Sequence, residues 1–239
     1  MTWSDEAFYP EPEPQRSLVG RLIDKLRLVF SSGDRQLEDN LPESTEGNPN
    51  ESFIKEYQVI QSYFDLQDPV IFYPACGSDP SLSYVFPNCS TYYVDTDAKV
   101  LNALKNNAVL PEKSHLIRGS VFDEFLDVKF DLVVLRNASV ERVGVGFTNQ
   151  LQAEVIDFTN QLQVGGLVID FHWGTIGDSL DLLASPNFEL LGVVVNDGEN
   201  YSFKPEKDGE IAKQMQEAET DPESSHRLAN KPYIFRKIA

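Results

Sequence analysis

From residue 51 onward, short apolar runs alternate with segments of helical periodicity, and few folds can accommodate that alternation. A helix is expected over residues 51–64, where Phe53, Ile54, Tyr57, Ile60 and Phe64 share one face. Buried strands are expected at 70–73, 91–94, 115–118, 130–135 and 167–171, with helices before Pro87, over 98–107 and over 149–162. Strands separated by helices on this spacing form right-handed βαβ units, and hence a parallel sheet covered on both faces. The ending differs. Residues 188–195 and 232–238 read as strands, and the long polar segment between them carries helical character near 210–219. The expected class is α/β: a doubly wound, mostly parallel seven-stranded sheet with a C-terminal antiparallel hairpin.

Composition shifts sharply before residue 51. Residues 1–14 hold three prolines and four acids, residues 15–30 have apolar groups at helical spacing among Arg16, Arg21, Lys25 and Arg27, and residues 31–50 read as a polar linker. We therefore expect residues 1–50 to be a flexible extension with an amphipathic helix near 15–30, and residues 51–239 to be one domain. That helix could lie on an anionic membrane, but packing on its own domain is favoured. The net charge of −18 would repel an anionic bilayer as well as a phosphate backbone, so neither membrane nor nucleic acid is an expected partner. The longest apolar runs, 132–135 and 190–195, fall far short of the ~20 residues that a membrane span requires. The acidic, proline-bearing N-terminus lacks the features of a secretory signal. Two cysteines, Cys76 and Cys89, suggest no disulfide framework, so a reducing cytoplasm is expected.

An open parallel sheet binds its ligand beyond the carboxyl ends of its strands, where strand order reverses. The loops there read YPACGSDPS, VDTD, RGSVFD and LRNASV. Their spacing resembles the class I S-adenosylmethionine-dependent methyltransferase superfamily, over roughly residues 51–239. The resemblance makes the first loop the glycine-rich one, where a bare backbone approaches the amino-acid half of the cofactor. Only Gly77 stands in a family glycine position. Ala75 and Asp79 hold the other two, and Tyr73 stands where the family usually has an acid. Asp79 before Pro80 also suits a helix N-cap with proline at the first helical position, and its charge would disfavour a second anion there.

By the same resemblance, Asp95 at the tip of the second strand, followed by Thr96, accepts hydrogen bonds from both ribose hydroxyls. An acid there could instead cap the next helix. Ser120 and Val121 stand where the family contacts adenine, and Arg136 lies at the tip of the fourth strand, where no Asn-Pro-Pro-aromatic run occurs. The candidate cofactor contacts are thus Tyr73, Ala75, Gly77, Asp79, Asp95, Thr96, Ser120, Val121 and Arg136. The run 163–166 resembles an architectural Gly-Gly turn.

Other chemistries have less support. His115, His172 and His226 are scattered without metal-ligand spacing, so no metal site is expected. Asp170 and His172 share a strand face, with Trp173 beside them, and a packed strand end is preferred there over a catalytic base. Neither GxSxG nor GxxxxGK[ST] occurs. Two readings remain. One is methyl transfer from S-adenosylmethionine to a small-molecule or protein acceptor. The other is a non-catalytic binding or scaffold module that keeps the fold, as the altered first loop would suit.

Overall fold

The computed structural model describes residues 49–106, 109–119, 128–136, 161–171, 177–198, 200–229 and 231–239. The amphipathic segment at 15–30, its linker and most of the helix expected over 149–162 lie outside them. The first element is helix α1, Glu51–Tyr63. Asn50 starts it, its side chain accepting from the Ser52 N–H at 2.9 Å and the Phe53 N–H at 3.4 Å. Such a cap contributes about 1 kcal/mol. Strand β1, Ile71–Pro74, is buried throughout and followed by the short helix α2, Ser81–Val85. Then come β2 (Thr91–Asp95), α3 (Ala98–Lys105), β3 (His115–Arg118), β4 (Phe130–Arg136) and β5 (Leu162–Phe171). The chain closes with α4 (Gly177–Ala184), β6 (Phe188–Asn196), β7 (Tyr201–Pro205), α5 (Glu210–Ala218), α6 (Pro222–Ala229) and β8 (Tyr233–Lys237).

One sheet results, in the order β3-β2-β1-β4-β5-β8-β6-β7. The first five strands pair in parallel, and β8 inserts antiparallel between β5 and β6. One face carries Ile71, Tyr73, Leu132, Val134 and Ile169, which pack with Tyr57 and Ile60 of α1 and Leu101 of α3. The other carries Phe72, Val133, Leu135 and Val168, packed with Leu182 of α4 and Met215 of α5. Strands buried on both faces are what near-continuous apolar runs such as 132–135 encode. Strand order reverses between β1 and β4, so their carboxyl ends frame the crevice. Among the described residues, no helix is long and apolar enough to cross a membrane.

Three expectations need correction. The sheet has eight strands, because residues 201–205 form an edge strand on β6 after a turn closed by the Asn196 and Asp197 side chains. Strand β5 begins at Leu162, where the sequence pattern predicts a helix end: Leu162 pairs with Phe130, and the 163–166 run bulges from the strand before pairing resumes at Leu132 and Leu167. Finally, α2 starts one residue later than the spacing predicts, with Pro80 at the N-cap.

Gly192 lies where β6 is irregular against β8, with φ of +153°, and a Cβ there would overlap the Lys204 and Pro205 backbone. Gly198, with φ of +101°, has open space. Gly198→Ala should therefore cost only backbone strain, about 1–3 kcal/mol. Gly192→Ala should add overpacking of about 1–3 kcal/mol. Urea denaturation of the two variants checks this, and equal losses would contradict the crowding at Gly192.

Candidate functional site

The loop after β1 turns sharply through two left-handed residues, Ala75 at φ +49° and Gly77 at φ +62°. A non-glycine residue held there costs about 1–2 kcal/mol, and such strain gathers at functional turns. The Cys76 N–H donates to the Val94 carbonyl at 3.3 Å, fastening the loop to β2. The Gly77 N–H donates to Asp95 Oδ2 at 3.1 Å, while the Asp97 N–H donates to Asp95 Oδ1 at 2.9 Å. Asp95 is thus half-exposed but fixed by one bond on each oxygen, and each oxygen keeps a free lone pair. A Cβ added at Gly77 would meet nothing within 4 Å, so the loop backbone is uncrowded on that side. The cap of α3 is Asp97, whose side chain accepts from the Lys99 N–H at 2.8 Å. Asp95 is therefore free of that duty.

Asp79 does cap, though from outside the N-cap position: its Oδ1 accepts from the Ser81 N–H at 3.0 Å and from the Ser81 hydroxyl. Its Oδ2 is buried without a hydrogen-bond partner among the described residues. Tyr73 is buried beside Tyr93, ring centroids 5.9 Å apart, and burial raises its pKa well above the phenol value. It packs as a neutral phenol. Burial likewise raises the pKa of Cys76, so this thiol stays protonated and is no nucleophile.

Arg136 ends β4 only 1 % exposed. Its Nη2 donates to Glu56 Oε2 of α1 at 2.7 Å. The guanidinium carbon sits 3.1 Å from the Phe53 ring centroid, 4.2 Å from that of Phe171 and 5.5 Å from that of Tyr57. Aromatic faces therefore take up much of the charge. Among the described residues, Nε and Nη1 nevertheless have no hydrogen-bond partner, and neither does the neighbouring Tyr57 Oη. Each buried group left unsatisfied costs about 1–3 kcal/mol. Burial raises the Glu56 pKa more than Arg136 lowers it. Burial raises the pKa of both Tyr57 and Tyr73, against the opposing pull of the Arg136 charge.

Of the residues singled out by sequence, Tyr73, Ala75, Gly77, Asp79, Asp95, Thr96 and Arg136 lie at or next to the carboxyl ends of β1, β2 and β4, with Thr96 exposed. Ser120, Val121, His172 and Trp173 lie outside the described residues. Asp170 is fully buried and accepts a hydrogen bond from the Ser179 hydroxyl, which fits a packed strand end. Sequence reasoning missed Phe53, Glu56, Tyr57 and Phe171 as partners of Arg136. The available signal was an acid, Glu56, directly before Tyr57 on the buried face of α1.

No protein-family model matches the chain, and no curated protein does either. Solved structures do. The N-methyltransferase NodS from Bradyrhizobium japonicum WM9 superposes with a TM-score of 0.55 at 9% identity, over 80% of this chain and 99% of that one. The same protein in complex with S-adenosyl-L-homocysteine gives 0.52 at 12% identity, over 87% and 98%. A TehB-like S-adenosylmethionine-dependent methyltransferase from Corynebacterium glutamicum gives 0.50 at 12% identity, over 91% and 96%. The chain has the class I methyltransferase fold.

The Glu56–Arg136 pair lends itself to a double-mutant cycle. Glu56→Ala should cost about 3–5 kcal/mol by stranding a buried cation, whereas Glu56→Leu with Arg136→Met should recover most of that loss. Arg136→Met alone leaves Glu56 without its counter-charge and lifts its already raised pKa further. Its penalty should therefore be small below the ordinary carboxylate range and grow as pH rises through the folded-state value. Chemical denaturation between pH 4 and 8 reads both effects, and a flat pH profile for Arg136→Met would contradict this account.

Proposed function

We propose that the chain binds S-adenosylmethionine at the carboxyl ends of β1 and β2 and transfers its methyl group to a small-molecule or protein acceptor. The observation that carries this reading is Asp95. Its carboxylate is half-exposed, is oriented by the Gly77 and Asp97 N–H groups, and retains one further lone pair per oxygen among the described residues. That arrangement suits a ribose diol, with one hydroxyl for each oxygen. Asp79 Oδ2, buried and unpartnered, suits a cation such as the ammonium of the cofactor's amino-acid half. It is better read as a contact than as an obstacle. The cofactor supplies the chemistry, a methyl group already activated by a sulfonium. The protein's own part is positioning: Asp95 fixes one end, and the strained turn at Ala75 holds the loop backbone against β2.

The scaffold reading rests on the missing loop glycines, but Ala75 adopts the left-handed conformation that a glycine would supply. An uncommitted turn has no evident need of that strain. A cytoplasmic setting fits the two buried, unpaired thiols Cys76 and Cys89. We also take residues 51–239 as the catalytic unit and residues 1–50 as its extension.

Calorimetric titration with S-adenosylhomocysteine tests the reading. Asp95→Ala should weaken binding by about 1.5–3 kcal/mol, the range for hydrogen bonds to a charged group. An unchanged dissociation constant in a folded variant would place the ribose elsewhere. If the wild-type chain fails to bind, the scaffold reading replaces this one.

A further inference from the structure

Arg136 has more hydrogen-bonding capacity than the protein uses. A guanidinium carries five N–H groups and offers two in-plane edges at which a carboxylate can bind side by side. Nη2 belongs to both edges, and Glu56 takes one of its hydrogens. Nε and Nη1, which complete the two edges, are both unpartnered among the described residues. Whichever edge Glu56 leans against, the other remains a complete two-donor fork. The Phe53 and Phe171 rings, with centroids 3.1 Å and 4.2 Å from the guanidinium carbon, carry no oxygen or nitrogen and so do not substitute for a hydrogen-bond partner. Tyr57 is a close neighbour, its ring centroid 5.5 Å from the guanidinium carbon. The residue is 1 % exposed and clamped by α1, β4 and β5, so the fork is held in place rather than trailing in solvent.

We propose that Arg136 is a built carboxylate receptor, and that a ligand of this crevice presents a carboxylate to its free edge. The proposal rests on the methyl-transfer reading for its choice of probes, and the carboxylate has two possible sources, the acceptor or the amino-acid half of the cofactor. Asp79 Oδ2, unpartnered among the described residues in the loop after β1, the strand next to β4, favours a ligand that carries an amine as well, because a bare anion would meet its repulsion.

The test compares probes that differ in the carboxylate, using the full chain and calorimetry. L-Phenylalanine against 2-phenylethylamine represents the acceptor. S-Adenosylhomocysteine against 5′-methylthioadenosine, which lacks the amino-acid half, represents the cofactor. In at least one pair the wild type should prefer the carboxylate-bearing member by tenfold or more. That preference should fall below threefold in Glu56→Leu with Arg136→Met, and partially in Arg136→Lys, which keeps the charge but loses the fork. The pair that loses its preference identifies the source. A wild type without either preference, or preferences that survive in the folded double variant, would overturn the proposal. If neither nucleoside binds, the cofactor reading fails by itself, and the phenylalanine pair still decides the role of Arg136.

Discussion

The ion pair between Arg136 and Glu56 joins the first helix to the tip of the fourth strand, and the architecture of the crevice follows from it. Placing both charges under α1 incurs a desolvation cost that a Coulomb gain at 2.7 Å offsets only when the remaining hydrogen bonds are made. Here they are incomplete, with Nε and Nη1 idle. A pair of well-packed apolar residues would serve stability as well or better. Glu56 points the same way: its pKa is raised by burial, so the stability it contributes is present below its unfolded value and lost as pH rises through the folded one. Burial thus works against the charged carboxylate that the ion pair needs, which is unprofitable for a purely structural contact.

On the other side of β1, a second carboxylate obeys the opposite logic. Asp95 is half-exposed and needs no buried counter-ion, because two backbone N–H groups hold it. Backbone donors fix direction without the rotamer entropy that a long cationic partner would bring. The division of labour with Asp97 matters. By capping α3, Asp97 leaves the neighbouring acid available at the strand tip. Two acids in a row of four residues, VDTD, thus have separate tasks, and only the backbone geometry distinguishes them.

The strand–helix alternation was legible because burial on both faces leaves an unbroken apolar signature at residues such as 132–135. Edge strand β7 was not: Tyr201, Phe203 and Pro205 are only half-buried, Ser202 and Lys204 are exposed, and the five residues resemble polar loop. The Asp197-Gly198 turn before them was the available cue. Asp95 and Arg136 could be singled out from their places at strand tips. The partners of Arg136 could not, since Glu56 lies 80 residues upstream and nothing in local periodicity links a helix face to a particular strand end. Similarly, Asp79 reads as an N-cap by spacing, whereas its side chain reaches past Pro80 to Ser81 and leaves one oxygen idle.

Residue identity and backbone geometry point in opposite directions for the first loop. By its glycines alone, two of three positions are lost and the loop looks retired from binding. By its torsion angles, Ala75 holds at φ +49° what glycine would adopt freely, and Gly77 keeps +62° where no atom crowds it. A chain no longer using this turn could relax the strain by letting Ala75 return to the ordinary β region, and nothing in its own side chain prevents that. What prevents it is the bond from the Cys76 N–H to the Val94 carbonyl and the Gly77 N–H on Asp95, both of which need the turn as built. The strained alanine and the oriented carboxylate are therefore one device. It stands at the carboxyl ends of β1 and β2, with Arg136 two strands away from Asp95 across β1. The chain's −18 charge repels anions at long range, so a carboxylate reaching that arginine is held by short-range bonds inside the crevice rather than steered there by the surface.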